Sequence, residues 1–165
     1  MDRVDVEGLP VLGWKERVTV PAWRFDLRAK LDTGARSSAL HVTELEEIGD
    51  RIDPETGAEV PYVRFDVVTG RKDDPEHHRV ETPIIGHKIV RDTGARAELR
   101  PVVRTRIVCG PLETVADITL TDRTGMNFRM LLGRLTLEQR CLVDPHQGYR
   151  VTRRGRHRSM FRDDR

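Results

Sequence analysis

Residues 25–41 read Phe25-Asp-Leu-Arg-Ala-Lys-Leu-Asp-Thr-Gly-Ala-Arg-Ser-Ser-Ala-Leu-His41, and they carry the most informative pattern of the chain. Polar and apolar residues alternate up to Leu31, which predicts a half-buried strand. Asp32 follows at once, and Gly34 allows the chain to turn tightly after it. A carboxylate at the end of a buried strand is held by rigid scaffold, so this arrangement indicates a functional Asp.

A second pattern, further along the chain, makes the first one more specific. Residues 130–134 read Met-Leu-Leu-Gly-Arg, an apolar run that ends in Gly-Arg and precedes a short helical stretch. The tetrapeptide Asp-Thr-Gly-Ala recurs at residues 92–95, so it carries little information alone. Asp-Thr-Gly-Ala upstream and apolar-apolar-Gly-Arg downstream form a rarer combination.

That combination is the pattern of retropepsin-like aspartic proteases, and the chain resembles one bacterial family of them that is often labelled ATP-dependent zinc protease. Three further segments match in order: Gly13-Trp-Lys-Glu16, Arg100-Pro-Val-Val103 and Leu142-Val-Asp-Pro145. The resemblance spans about residues 11–149. It implies an all-β fold, a single-lobed retropepsin-like closed barrel or sandwich with one or two short helices. Many short strands at even spacing indicate the same class.

The resemblance also assigns roles to particular residues. Asp32, Thr33 and Gly34 would form the catalytic loop, with one Asp32 from each subunit of a homodimer. The two carboxylates would share a proton, activate a water molecule and polarise the scissile carbonyl of a peptide or protein substrate. The adjoining residues would bind substrate or support the loop, and they are Ala35, Arg36 and Ser37 for binding and Leu132, Gly133 and Arg134 for support.

The second Asp-Thr-Gly, at residues 92–94, has two interpretations. It could be a second catalytic strand of a bilobal protease, or the turn of a β-hairpin. Only one apolar-apolar-Gly partner is present in the chain, and charged, alternating residues follow Asp92. The context favours the hairpin turn. Residues 87–103 are then expected to form a flap that closes over the substrate.

Arg36 follows Asp-Thr-Gly-Ala, where many retropepsins carry a small or acidic residue. A guanidinium there could bind a substrate carboxylate in bidentate fashion, which would favour acidic, glutamate-rich peptides. Alternatively, Arg36 lies at the surface and pairs with Glu44 or Glu46. The resembled family is often associated with ATP-grasp glutamate ligases, so a functional link to such a partner is expected.

The residues give no support for zinc or ATP. The sequence has no His-Glu-x-x-His, Cys-x-x-Cys or phosphate-binding Gly-rich motif. His77 and His78 are adjacent and would point to opposite faces of a strand. A zinc site built from His41, His87 and a carboxylate stays open as an alternative, and so does a peptide-binding module without hydrolysis. We expect no metal and no cofactor.

Charge is distributed unevenly along the chain. Residues 150–165 hold seven Arg and two Asp, a net charge of +5, which leaves −3 on the rest of a chain whose total is +2. We expect a flexible leader over residues 1–10, a retropepsin-like domain over 11–149 and a disordered Arg-rich tail over 150–165. No folded or aromatic motif accompanies the tail, so nucleic-acid binding is not expected.

The N-terminal residues lack an apolar signal region, and no apolar run reaches the length of a membrane span. A cytoplasmic location is therefore expected, with no membrane partner. Cys109 and Cys141 are expected to be reduced, buried thiols. Two short helices are predicted, one over residues 43–48 capped by Thr43 and one over residues 136–140.

Overall fold

The computed structural model describes residues 6–91, 96–122 and 127–155. Within these ranges the chain is mostly β-structure, so the predicted all-β class is confirmed. The strands are β1 (Val11–Gly13), β2 (Lys15–Val20), β3 (Phe25–Leu31), β4 (Ser38–His41), β5 (Thr43–Ile52), β6 (Glu59–Arg71), β7 (Asp74–Pro83), β8 (Gly86–Arg91), β9 (Ala97–Cys109), β10 (Leu112–Thr121), β11 (Met130–Leu132) and β12 (Leu142–Asp144). A 3-10 helix covers Pro21–Trp23, and a single-turn α-helix, α1, covers Arg134–Leu137.

Six strands close into a barrel in the order β10-β4-β11-β3-β2-β9, because β9 also pairs with β10. Strand β8 extends the barrel sheet by pairing with β9. Alternation along the strands sends apolar side chains inward, as in β3, where Leu27, Ala29 and Leu31 are buried while Arg28 and Lys30 are exposed. Strand β8 is the outer strand of this sheet in the described residues.

A separate three-stranded sheet, β5-β6-β7, packs against the barrel. Phe65 of β6 is fully buried, and its ring meets Trp23 edge-on with centroids 5.6 Å apart. His78 of β7 contacts Phe25 of β3 with centroids 5.0 Å apart. These aromatic contacts attach the second sheet to the barrel.

The helix predicted over residues 43–48 is wrong, because this segment is the first part of strand β5. Its backbone pairs with β6, with register shifts between Thr43 and Glu46 and between Glu47 and Gly49. Glu44 and Gly49 adopt positive φ angles of 50° and 83° at these irregularities. Pairing with a long neighbouring strand therefore outweighs the weak helical preference of the acidic residues.

A buried carboxylate fastens the C-terminal residues to the barrel. Glu16 of β2 is fully buried and accepts backbone N–H groups from Gly13, Arg150, Val151 and Thr152 at 2.8–3.3 Å. The Thr152 hydroxyl lies 2.7 Å from the same carboxylate. The hydrogen-bonded body therefore reaches Thr152, past the predicted boundary at residue 149. The division into leader, domain and tail otherwise stays a prediction.

Both cysteines are buried free thiols within the described chain. Burial raises the pKa of Cys109 well above its ordinary value, and it raises the pKa of Cys141 as well. Neither helix in the described residues is long or apolar enough to cross a membrane. The second Asp-Thr-Gly, at residues 92–94, lies outside the described residues, so the roles predicted for it are not tested.

Candidate active site

The candidate site forms where β11 runs between β3 and β4. Strand β11 is parallel to β3, with Leu132 opposite Leu31, and antiparallel to β4, with Met130 opposite Leu40. This insertion brings the ends of two sequence-distant strands together. The backbone N–H of Asp32 donates to the carbonyl of Leu132 at 2.8 Å. Asp32 therefore leaves the barrel at a fixed position beside the second motif.

The Asp32 carboxylate is oriented by its own loop. Its Oδ1 atom accepts the backbone N–H of Gly34 at 2.9 Å and that of Ala35 at 3.2 Å. The other oxygen, Oδ2, lies 3.8 Å from the Nζ atom of Lys30. The Asp32 side chain is 28% exposed, so it is accessible from outside the barrel. The loop thus fixes one oxygen of a partly exposed carboxylate, and the second oxygen lies near a lysine.

The downstream motif, residues 130–134, and the adjoining Leu135 form hydrogen bonds to this loop. The N–H of Arg134 donates to the Ala35 carbonyl at 2.8 Å, and the N–H of Leu135 donates to the Arg36 carbonyl at 3.1 Å. The Arg134 guanidinium reaches across the loop and donates to the carbonyls of Thr33 and Gly34 at 3.2 and 3.1 Å. Four contacts between the two motifs therefore resist displacement of the Asp32 loop.

A buried pair of hydroxyls lies beneath the loop. Ser38 Oγ and Thr136 Oγ1 are 2.6 Å apart, and both residues are buried. Ser38 Oγ also accepts the N–H of Gly133 at 3.1 Å. Gly133 leaves no room for a side chain, since a Cβ there would lie 2.6 Å from backbone atoms of Ser37. This close approach explains why the downstream motif contains glycine at this position.

Helix α1 begins two residues earlier than the predicted start at residue 136 and is shorter than predicted. The Gly133 carbonyl accepts the N–H of Thr136 and that of Leu137, so the turn is set by the motif itself. Glu138 leaves the helical conformation, and Gln139 has a positive φ of 62°. The helix therefore ends at Leu137, whereas the sequence pattern predicted that it extends to residue 140.

A groove of about 400 Å³ lies beside the Asp32 loop, on the outer surface of the barrel. Lys88 of β8 lines it and donates to Ser37 Oγ at 2.6 Å. On the opposite wall, Arg104 donates to both carboxylate oxygens of Asp117, at 2.7 and 3.1 Å. The groove lies next to the loop, because two of its lining residues, Ser37 and Ser38, follow the loop directly in the sequence.

All nine predicted site residues come together around one loop. Seven of them take part in the contacts described above: Asp32, Gly34, Ala35, Ser37, Leu132, Gly133 and Arg134. Thr33 and Arg36 have exposed side chains, and only their carbonyls are bound. Glu46, one partner predicted for Arg36, pairs with Arg64 at 2.7 Å. Within the described chain no ion pair of Arg36 is found. The catalytic and binding roles of these residues stay predictions.

Four residues near the site were not predicted from the sequence. Lys30 could have been found, because strand alternation places it on the same face as Asp32. Ser38 and Thr136 gave no signal, since a buried hydroxyl pair depends on two distant strands meeting. Lys88 was likewise invisible, because it lies 51 residues from its partner Ser37.

The described residues contain no group of three or more His, Cys, Asp or Glu side chains arranged to hold a metal ion. His87, a member of the alternative zinc site, instead contacts Glu47 of β5 through its Nε2 atom. His41 remains on β4, at the start of the turn into β5. In the described part of the chain, the residues of the alternative zinc site are therefore not grouped as metal ligands.

A family model described as retropepsin-like aspartic endopeptidase RimB matches residues 11–154. The chain belongs to the RimB-like family. A solved structure from Legionella pneumophila, of a protein of unknown function, aligns with a TM-score of 0.67 at 28% identity. The alignment covers 87% of this chain and 98% of that one. The fold and the family predicted from the sequence are therefore confirmed.

Similarity also extends to proteins named probable alpha-L-glutamate ligase. One from Parasynechococcus marenigrum is 31% identical over 142 residues, 86% of this chain and 29% of that protein. Another, from Desulfotalea psychrophila, is 30% identical over 72% of this chain and 24% of its own length. The RimB-like chain thus spans less than a third of the curated relatives that it matches.

Proposed function

We propose that two copies of the chain form an aspartic endopeptidase, with one Asp32 from each copy in a shared active site. The observation that carries this proposal is the orientation of the Asp32 carboxylate. Two backbone N–H groups bind its Oδ1 atom, Oδ2 lies 3.8 Å from Lys30 Nζ, and the side chain is 28% exposed at the end of β3. Each copy supplies only half of a dyad, so hydrolysis requires the second copy.

In this mechanism the two Asp32 carboxylates share one proton, because like charges a few ångströms apart cannot both ionise. The ionised carboxylate accepts a proton from a water molecule that attacks the scissile carbonyl carbon. The protonated carboxylate donates its proton to the carbonyl oxygen. The exposed Thr33 of each loop is available to bind across the two-fold axis, as in the retropepsins that the sequence resembles.

We further propose that the substrates are acidic, glutamate-rich peptides. Three cationic side chains support this: Lys30 near Oδ2 of Asp32, Lys88 on Ser37, and the exposed Arg36. Cations that surround a cleft attract anionic substrates and raise their rate of encounter. The relatives named as glutamate ligases suggest a source of such peptides, and we propose a separate glutamate ligase of the ATP-grasp type as the functional partner.

Replacement of Asp32 tests the proposed chemistry. Asp32→Asn keeps the size of the side chain and an oxygen for the loop N–H groups, but it removes the general base. We expect peptide hydrolysis to be faster at mildly acidic pH, to resist EDTA, and to fall at least about 10³-fold in Asp32→Asn. The measurement is cleavage of a glutamate-rich peptide, followed by mass spectrometry. Hydrolysis that survives Asp32→Asn would refute the proposal.

A non-hydrolytic binding module is the second candidate, and the relatives supply the observation that favours it. In the glutamate ligases the matching segment is 24–29% of the protein, a size that suits an accessory domain. This candidate predicts that wild-type chain and Asp32→Asn bind the peptide equally and cleave nothing. The third alternative, a zinc peptidase, predicts that EDTA abolishes hydrolysis and that added Zn²⁺ restores it.

A further inference from the structure

Lys88 links two parts of the chain that are distant in sequence. It belongs to the flap hairpin, which comprises the described segments 87–91 and 97–103 of the predicted flap, and its Nζ donates to Ser37 Oγ at 2.6 Å. Ser37 directly follows the Asp-Thr-Gly-Ala-Arg stretch that contains Asp32. Both residues line the groove of about 400 Å³ beside the loop. One side chain therefore connects the hairpin, the groove and the candidate catalytic loop.

The charges of the groove leave Lys88 without a carboxylate partner. The opposite wall is neutral, because Arg104 and Asp117 form a two-bond pair, and the hydrogen bond to Asp117 raises the pKa of Arg104. Among the described residues, no carboxylate oxygen lies within 4.0 Å of Lys88 Nζ. An ammonium group has three N–H donors, and the hydrogen bond that Lys88 donates to Ser37 ends on a neutral hydroxyl, which does not balance its charge. The groove is therefore positively charged at Lys88.

Part of the remaining groove lining is apolar, and it lies beside the hydroxyl-bearing residues Ser38, Thr119 and Thr136. Val102 of β9, Val115 of β10 and Leu135 of α1 line it, and Val115 and Leu135 are 58% and 50% exposed. A ligand group that fits has an aliphatic stem, which covers these side chains, and an anionic end, which meets the ammonium. Aspartate and glutamate side chains have this form. An arginine or lysine side chain would meet Lys88 with a like charge.

We propose that Lys88 is a specificity-determining residue that binds a carboxylate side chain of the peptide substrate in this groove. The substrate carboxylate replaces the Ser37 hydroxyl as the main partner of Nζ, so recognition of an acidic residue also links β8 to the bound peptide. This inference rests on the proposed peptidase function and gives Lys88, one of the three cations named for it, a direct contact with an acidic substrate residue. A purely structural Lys88, which only pins the hairpin, would affect acidic and neutral peptides equally.

Binding to an inactive chain tests the inference without requiring hydrolysis. In an Asp32→Asn background, the affinity of a short fluorescein-labelled glutamate peptide is compared by anisotropy with that of the same peptide containing glutamine. We expect Lys88→Met to weaken binding of the glutamate peptide by about 10- to 100-fold, the range for a hydrogen bond to a charged group. Glutamine-peptide binding should change little, and Lys88→Arg should retain most of the preference.

Lys72→Met is the matched control, because Lys72 is exposed in the turn between β6 and β7, outside the groove. It should leave both affinities unchanged. The inference is overturned if Lys88→Met leaves the preference for glutamate intact, if both affinities fall equally, or if neither peptide binds. Binding of the glutamate peptide that depends on Lys88, together with no cleavage by wild-type chain, would reject the peptidase proposal and keep Lys88 as the carboxylate-binding residue.

Discussion

Two glycines of the candidate site, Gly34 and Gly133, serve different purposes. A Cβ at Gly34 would lie 3.1 Å from Oδ1 of Asp32, so a side chain there presses on the carboxylate itself. A Cβ at Gly133 would lie 2.6 Å from the carbonyl carbon and oxygen of Ser37. Those are backbone atoms, which cannot move without displacing the whole Asp32 loop. A side chain at position 133 should therefore lower stability and displace the Asp32 loop more than a side chain at position 34 would.

Gly133→Ala should destabilise the fold by about 1–3 kcal/mol or more, because the added methyl group overpacks against backbone. It should also lower peptide hydrolysis, since the loop that holds Asp32 must shift. Urea unfolding and the cleavage assay measure the two effects. Gly155→Ala is the control, because nothing lies within 4 Å of a Cβ there. Equal stability of the two variants would contradict the packing described for Gly133.

At the scale of elements, the β5-β6-β7 sheet forms no strand pairing with the barrel in the described residues, and aromatic packing joins the two. Trp23 of the 3-10 helix contacts both Phe25 and Phe65, with centroids 6.1 and 5.6 Å away. No strand of this sheet pairs with a barrel strand in the described residues. Side-chain burial therefore fixes the position of this sheet relative to the barrel.

Phe65→Ala should cost about 3–5 kcal/mol of stability, because it empties a fully buried aromatic site. Hydrogen exchange should rise across β6 and β7 more than in the barrel strands, since the sheet loses its anchor. Ile52→Ala on β5 serves as the comparison, because Ile52 is 71% exposed, and it should change stability by at most about 0.5 kcal/mol. A cost below about 1 kcal/mol for Phe65→Ala would mean that other contacts hold the sheet.

At the scale of the whole molecule, the described residues contain one Asp-Thr-Gly loop, which follows β3 at the point where β11 lies between β3 and β4. In the proposal the second Asp32 comes from another copy, so activity should depend on the pairing of subunits. This differs from a bilobal enzyme, in which a single chain carries both halves. The exposed tip of the loop, at Thr33 and Gly34, is available for such pairing.

Mixing subunits tests the shared site. When an equal amount of Asp32→Asn chain is added to a fixed amount of wild-type chain, activity should fall to about half after exchange, because about half of the wild-type subunits then face a variant. Activity measured directly after mixing, before subunits exchange, is the control. If activity stays constant after complete exchange, a single chain is sufficient for catalysis.

The sequence alone determined the fold class, the family and the nine residues that gather around the Asp32 loop. These follow from local patterns: strand alternation, a turn glycine after Asp32, and an apolar run that ends at Gly133 and Arg134. Each pattern needs only neighbouring residues to be recognised. The order of the two motifs along the chain was sufficient to link them through the family resemblance.

The tertiary structure alone decided the contacts between residues that are far apart in sequence. The segment at residues 43–48 became a strand because β6 pairs with it, and Glu16 accepts donors from residues 150–152 because the chain returns to the barrel. Lys88 reaches Ser37 for the same reason. Such contacts depend on which strands become neighbours in the fold. The free energy gained from strand pairing and burial between distant residues outweighs the local preferences that a sequence pattern records.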